Sequence, residues 1–175
     1  GIVLDVYSKT TDDLLFQSAE PGTAGSATPA FKNVASMKNT GFDANIFYKG
    51  KIGSEVGFDA SLNLGSYKNE ITKIDGASTQ FFSNTGTRIG NISVNRIGES
   101  IGSFYGFTTD GIFGSQAEVD AISQDGAAVG RLRFKDLNND GVINDDDRGI
   151  IGNYHPDLTA GLRLAVNYKG FDLST

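Results

Sequence analysis

Val56-Gly57-Phe58-Asp59-Ala60-Ser61-Leu62-Asn63-Leu64-Gly65 separates completely into two faces. Val56, Phe58, Ala60, Leu62 and Leu64 are apolar, while the residues between them are small or polar. Successive strand side chains point to opposite sides, so this alternation describes a strand with one greasy and one wet face. Residues 158–168 repeat it, with Ala160, Leu162, Leu164, Val166 and Tyr168 opposing Thr159, Gly161, Arg163, Ala165 and Asn167. Residues 41–48 do the same with Phe42, Ala44, Ile46 and Tyr48, and Phe47 is the one exception.

Two architectures accept such strands. In a soluble sandwich the apolar face meets a second sheet. In a membrane barrel it meets lipid, and the polar face lines the lumen. The strands are long enough for the roughly 9–11 residues that cross a bilayer core, and small polar residues fill the wet face. The connections sharpen the choice. Tyr48-Lys49-Gly50-Lys51 reads as a tight turn (49–52), and Tyr168-Lys169-Gly170-Phe171 reads as another, each with an aromatic at a strand end. The other connections are long: 9–39 has 31 residues and 67–157 has 91. Short turns alternating with long loops is the asymmetry of outer-membrane barrels. The expected fold is all-β: antiparallel strands of a large transmembrane β-barrel, seen in part, with long extracellular loops and a short helix. Residues 1–66 then hold barrel strands and the first loop, 67–157 the long loop, and 158–175 a hairpin. A chain starting Gly1-Ile2-Val3-Leu4 and ending Phe171-Asp172-Leu173-Ser174-Thr175 reads as an internal segment of a longer protein.

Within the long loop, Ser115-Gln116-Ala117-Glu118 reads as a capping box opening a helix that ends near Gly126. Residues 91–97 suggest a short strand. Residues 24–30, rich in Gly, Ser and Thr, suggest a mobile loop tip.

Composition excludes several classes. The 175 residues contain no Cys and one His, which removes disulfides, thiolate metal sites and multi-His centres. Lys and Arg total 15 against 21 Asp and Glu, a net charge of -6, which argues against nucleic-acid binding. No apolar run approaches the length of a membrane helix, a limit that does not touch alternating strands.

Asp136-Leu137-Asn138-Asn139-Asp140-Gly141-Val142-Ile143-Asn144-Asp145-Asp146-Asp147 fits a twelve-residue calcium loop. Asp136, Asn138 and Asp140 take positions 1, 3 and 5, and Gly141 takes the sharp turn at 6. Val142 offers its carbonyl, Asn144 acts through a water, and Asp147 closes the set in place of the usual Glu. The expected ion is a structural Ca²⁺, since one loop without a helix pair has no groove to open. The plain alternative is a solvated acidic turn. Five of the 21 acidic residues lie in this loop; without them 16 remain against 15 basic ones.

His155, before Pro156, has no nucleophile or acid beside it in sequence. Phe104-Tyr105-Gly106-Phe107 could stack on a sugar ring or pack within its loop. No catalytic constellation is visible, so an enzyme is not expected.

Three stretches together resemble the SusC/RagA family of TonB-dependent outer-membrane transporters. They are Arg96-Ile97-Gly98-Glu99-Ser100-Ile101-Gly102-Ser103-Phe104-Tyr105-Gly106-Phe107, the run Phe134-Lys135-Asp136-Leu137-Asn138-Asn139-Asp140-Gly141, and Ile151-Gly152-Asn153-Tyr154-His155-Pro156 followed by Tyr168-Lys169-Gly170-Phe171. Their order and spacing are similar to the C-terminal half of that family's barrel. Residues 1–66 match mainly in strand pattern. The resemblance implies a 22-stranded barrel with a plug, importing oligosaccharides, glycans or peptides across the outer membrane of a Gram-negative bacterium. It further implies energy from TonB through a plug region outside these residues, a SusD-like surface lipoprotein as lid, and outer-membrane lipid around the wall. The competing reading is a secreted calcium-stabilised β-domain serving as an adhesin or carbohydrate-binding module.

Overall fold

A computed structural model describes residues 1–17, 31–75, 78–82 and 88–175. The elements in chain order are β1 Ile2–Gln17, β2 Phe31–Ile52, β3 Val56–Ile74, β4 Gln80–Phe81, β5 Ser93–Arg96, β6 Ser103–Phe107, β7 Thr109–Ile112, α1 Gln116–Asp120, β8 Leu132–Phe134, β9 Arg148–Gly152, β10 Thr159–Tyr168 and β11 Phe171–Ser174. They form two compact units, residues 1–76 with 155–175, and residues 77–154.

The first unit is one antiparallel sheet in the order β1-β2-β3-β10-β11. Its register carries the alternation across every strand. Ile46 faces Ile2 and Leu62, and Leu62 faces Leu162, so the apolar residues share one face. No second layer covers that face among the described residues: Val6 is 77% exposed, Leu4 61% and Leu162 63%. A sandwich would bury this stripe, whereas a barrel wall presents it to lipid. The fold is all-β and antiparallel, an open stretch of barrel-type wall. No helix among the described residues is long and apolar enough to cross a membrane, which says nothing about strands.

The strands run further than the alternation does. Residues 9–39 are expected as a loop, yet β1 continues to Gln17 and β2 begins at Phe31. Lys9 pairs with Asn39, and Thr11 with Met37. Likewise β3 runs to Ile74, so the second excursion begins later than residue 67. The ladder needs only backbone groups, so pairing continues through Lys9–Thr11 and Lys38–Thr40, where both faces are polar; the end of β3 instead carries buried Asn69, Ile71 and Ile74. Register shifts beside Leu14, near Asp13 at φ 58°, and between Ser36 and Met37 mark bulges in these extensions. The suggested loop tip at 24–30 lies outside the described residues.

The first tight turn is also displaced. Lys49 and Gly50 lie in the ladder opposite Asp59 and Phe58, and the chain reverses at Gly53, Ser54 and Glu55. Gly50 is small for another reason. A Cβ there would come within 2.9 Å of the Tyr48 ring and 3.0 Å of the Phe58 ring. Those two rings lie 5.4 Å apart and cover it. The second turn falls where expected. Lys169 and Gly170 have φ of 43° and 84°, the left-handed pair of a two-residue hairpin turn between Tyr168 and Phe171.

The second unit contains a four-stranded sheet, β4-β5-β6-β9, and a ribbon of β7 with β8. Strand β5 realises the expected short strand within 91–97. Phe113 and Val94 are fully buried. Phe107 stacks on Phe134 at 5.1 Å and Tyr105 packs against Phe82 at 5.2 Å, so these two rings of the Phe104–Phe107 run serve packing. Helix α1 starts at the Ser115 cap but ends at Asp120. Ser123, expected inside it, instead bridges Val142 in parallel, donating to the Gly141 carbonyl and accepting from Ile143 N, each at 2.8 Å. Glu118 completes no box with Ser115. Its Oε2 accepts from Gly114 N at 2.8 Å and from Arg133 Nη1 at 3.2 Å.

Candidate functional site

Two features stand out: the acidic loop of the second unit, and the wet face of the sheet in the first.

The acidic loop is entered from β8, a strand as expected, and left through a 3-10 turn at Asp145–Asp147. Asn139 at φ 59° and Gly141 at φ 80° curl it, since two left-handed residues so close reverse the chain sharply. Asp136 Oδ1 accepts from Asn139 N at 2.6 Å and Asp140 N at 3.3 Å, and its Oδ2 from Gly141 N at 2.8 Å. Asn138 Oδ1 accepts from Asp140 N at 3.0 Å, and Asp140 Oδ1 from Val142 N at 2.8 Å. Asn138 Nδ2 donates to Asp140 Oδ2 at 2.9 Å. Asn144 Oδ1 accepts from Asp146 N at 2.7 Å, and Asp147 Oδ2 accepts from Asn144 N at 2.9 Å, a reciprocal capping box. Asp147 Oδ1 accepts from Leu137 N at 2.8 Å, tying the loop's two ends together.

Asp147 is fully buried. The Asn144 backbone N–H holds its carboxyl below the usual carboxylate value; burial opposes this, and donation from Leu137 and Asn138 adds to it. Behind it, Arg148 lies over the rings of Tyr105 (5.1 Å) and Phe107 (5.6 Å), donates to the Asn91 carbonyl and pairs with Asp145 at 3.6 Å. The loop is thereby pinned to β6. That anchor is absent from the twelve-residue pattern; its one legible trace is the Arg directly after the loop.

Against a calcium site, the donors and backbone fit in part. All six expected ligands are oxygens, as a hard cation requires, and the curl gathers them in one loop. The side-chain oxygens of Asp136, Asn138, Asp140, Asn144 and Asp147 are turned to backbone N–H groups. Among the described residues no three acidic or His side chains gather closely enough to hold a metal.

The wet face is polar across four strands. Asp5 faces Asp43 directly, and Asn45 Nδ2 donates to Asn63 Oδ1 across the next row. Between these rows and Thr159 lies a groove of about 440 Å³. Gly41, Gly57 and Gly65 keep this face low. At Gly41 a Cβ would meet the Ser66 carbonyl at 2.4 Å. His155 belongs to this unit and shares a 2.8 Å hydrogen bond with Tyr67 Oη. Its ring serves the wall, with no nucleophile at that contact.

No protein-family model matches the chain. Individual proteins do. The chain is 30% identical over 178 residues to TonB-dependent receptor P26 of Formosa agariphila, covering 98% of this chain and 17% of that protein. It is 27% identical over 177 residues to TonB-dependent receptor SusC of Bacteroides thetaiotaomicron, covering 98% and 16%. Among solved structures it resembles the RagAB peptide importer. The open-open state gives a TM-score of 0.75 at 23% identity over 99% of this chain and 18% of that one. The closed-closed state gives 0.72 at 25% over the same shares. The chain thus has the fold of a stretch of RagAB barrel wall and is similar in sequence to TonB-dependent receptors, SusC among them. It spans 17% and 16% of the two curated relatives, which are receptors, not enzymes.

Proposed function

We propose that the protein takes part in TonB-dependent nutrient import across the outer membrane of a Gram-negative bacterium, with this segment as part of the barrel. The observation that carries the reading is the uncovered apolar face opposite a polar one, repeated in register over the sheet. Likeness to SusC-type receptors and to a peptide importer supports it. The proposed cargo is an oligosaccharide, glycan or peptide. A SusD-like surface lipoprotein and TonB are the proposed partners, with the long excursions on the extracellular side. The wall's own chemistry is separation: lipid stays on one face while polar solute passes along the other. Disruption of the gene should leave the outer-membrane fraction without the protein and impair growth on glycans or peptides. A protein found only in the soluble fraction, with growth unaffected by its loss, contradicts the reading.

We further propose that Asp136, Asn138, Asp140, Val142, Asn144 and Asp147 bind Ca²⁺, Val142 through its carbonyl, Asn144 through a water, and the carboxylates and Asn138 once their side chains turn from backbone to ion. A long loop carries much conformational entropy, and an ion that fixes both ends of a sub-loop removes part of it. Asp136→Ala with Asp140→Ala should abolish calcium binding by calorimetry and speed proteolysis within 100–157. Unchanged titration and unchanged cleavage would refute the site.

A further inference from the structure

We infer that the outer face of β6 and β9, in the second unit, is a stacking site for a neutral oligosaccharide, built from Phe104, Tyr154 and Ile151. That the sugar is cargo rests on the import reading; the site itself rests on the second unit alone.

Strand β6 has two different faces. Ser103 is buried, Tyr105 packs on Phe82 and Phe107 stacks on Phe134, so these three make its packed side. Phe104 alternates with them and keeps 45% of its surface exposed. Its strand partners are Ser93 on β5 and Gly152 on β9. Continued by two residues, the β6–β9 register sets Tyr154 opposite Gly102. A Cβ on Gly102 would lie 3.3 Å from the Tyr154 ring, so the ring rests over that glycine. A Cβ on Gly152 would lie 3.8 Å from the Phe104 ring, and one on Gly106 would lie 3.4 Å from Ile151 Cδ1. Tyr154 is 56% exposed and Ile151 53%. Each of the three apolar groups thus lies beside a glycine, with no raised side chain between them. The backbone beneath is fixed in advance. Gly102 N donates to Asn95 Oδ1 at 2.8 Å, and Ser103 Oγ donates to the Ser100 carbonyl at 2.7 Å. Arg148 braces Tyr105 and Phe107 from the packed side. A ligand therefore finds the row already ordered.

Three properties choose the occupant. The row is flat, so a flat ring can approach the exposed aromatic faces. It is uncharged: residues 100–107 and 149–154 contain no Asp, Glu, Lys or Arg, in a chain with 36 such residues, the 15 basic and 21 acidic ones together. It has a polar border. Ser93, directly opposite Phe104, shares its face, and β9 is the edge strand of this sheet, whose outer backbone groups offer donors and acceptors. A pyranose ring has the matching form, with C–H groups on its face and hydroxyls around its rim. The electron-rich face of an aromatic ring attracts such C–H groups. Gly102 and Phe104 are two residues apart, roughly 7 Å, so the two aromatic rings can each meet a sugar unit of one chain.

The full-length protein in detergent is titrated by calorimetry with maltohexaose, cellohexaose, xylohexaose and laminarihexaose, and with an uncharged, end-capped (Ala-Pro)3 peptide. At least one sugar should bind more tightly than the peptide. Phe104→Leu and Tyr154→Leu keep apolar bulk and remove the ring, and each should weaken that binding about tenfold. Phe104→Tyr and Tyr154→Phe keep a ring and should retain it. An unchanged unfolding midpoint checks that the Leu variants are folded. No binding of any of the four sugars, or undiminished binding by both Leu variants, overturns the inference. Tighter binding of the peptide than of every sugar, lost in the same variants, assigns the row to peptide and overturns it as well. Sugar binding that stands while loss of the gene leaves growth on glycans and peptides unaffected counts against the import reading and leaves the site in place.

Discussion

Asp147 ties together the two ends of the acidic loop, accepting from Leu137 N and Asn144 N. Its folded-state value lies below the ordinary one because backbone N–H groups stabilise the charged form. A depressed value stabilises the fold above the ordinary carboxylate pKa. That contribution is lost as the pH falls from there through the depressed value. In calcium-free buffer, protection of the Leu137 and Asn144 amides against hydrogen exchange should therefore hold at neutral pH and decline only below the usual carboxylate range. Asp147→Asn should give low protection at every pH, and a wild-type profile in that variant would contradict the assignment. Gly41 tests the opposite face of residue-scale packing. Its nearest would-be contact is backbone, the Ser66 carbonyl, which cannot swing away. Gly41→Ala should cost roughly 1–3 kcal/mol of stability, read from the unfolding midpoint in detergent. The sequence shows a glycine at each of these places without telling a turn glycine from one lying under neighbouring groups, which is why Gly50 reads as a turn until Tyr48 and Phe58 are seen above it.

At the scale of elements, legibility follows the chemistry of the two faces. Where one face is apolar, from Val56 to Leu64 and along β10, the alternation marks the strand and its register. Where both faces are wet, as at Lys9, Thr10 and Thr11 or Lys38, Asn39 and Thr40, backbone pairing persists and leaves no side-chain trace. The turn at Lys169 and Gly170 is legible through Gly170, which the left-handed geometry favours. Gly170→Ala should cost about 1–2 kcal/mol, measured on the same unfolding transition. Helix α1 shows the reverse case. Its cap is visible in Ser115, but its early end is dictated by Ser123 pairing with the acidic loop, a contact that local sequence does not contain. The acidic loop was legible as twelve residues. The reciprocal cap between Asn144 and Asp147 and the Arg148 anchor are three-dimensional facts.

For the whole molecule the decisive property is the two-faced sheet. The net charge of -6 comes mainly from the acidic loop, leaving the wall with charges of both signs arranged along its wet face. As a barrel wall, the sheet meets lipid with one face and water with the other. With no native cysteine, single cysteines can be placed one at a time along β10, from Thr159 to Tyr168, labelled with a fluorophore in the reconstituted protein, and tested with lipid-borne and water-borne quenchers. Positions 160, 162, 164, 166 and 168 should be quenched from the lipid, and 159, 161, 163, 165 and 167 from water, in strict alternation. Uniform quenching from water along the strand, or labels on the apolar face shielded from both quenchers, would contradict it.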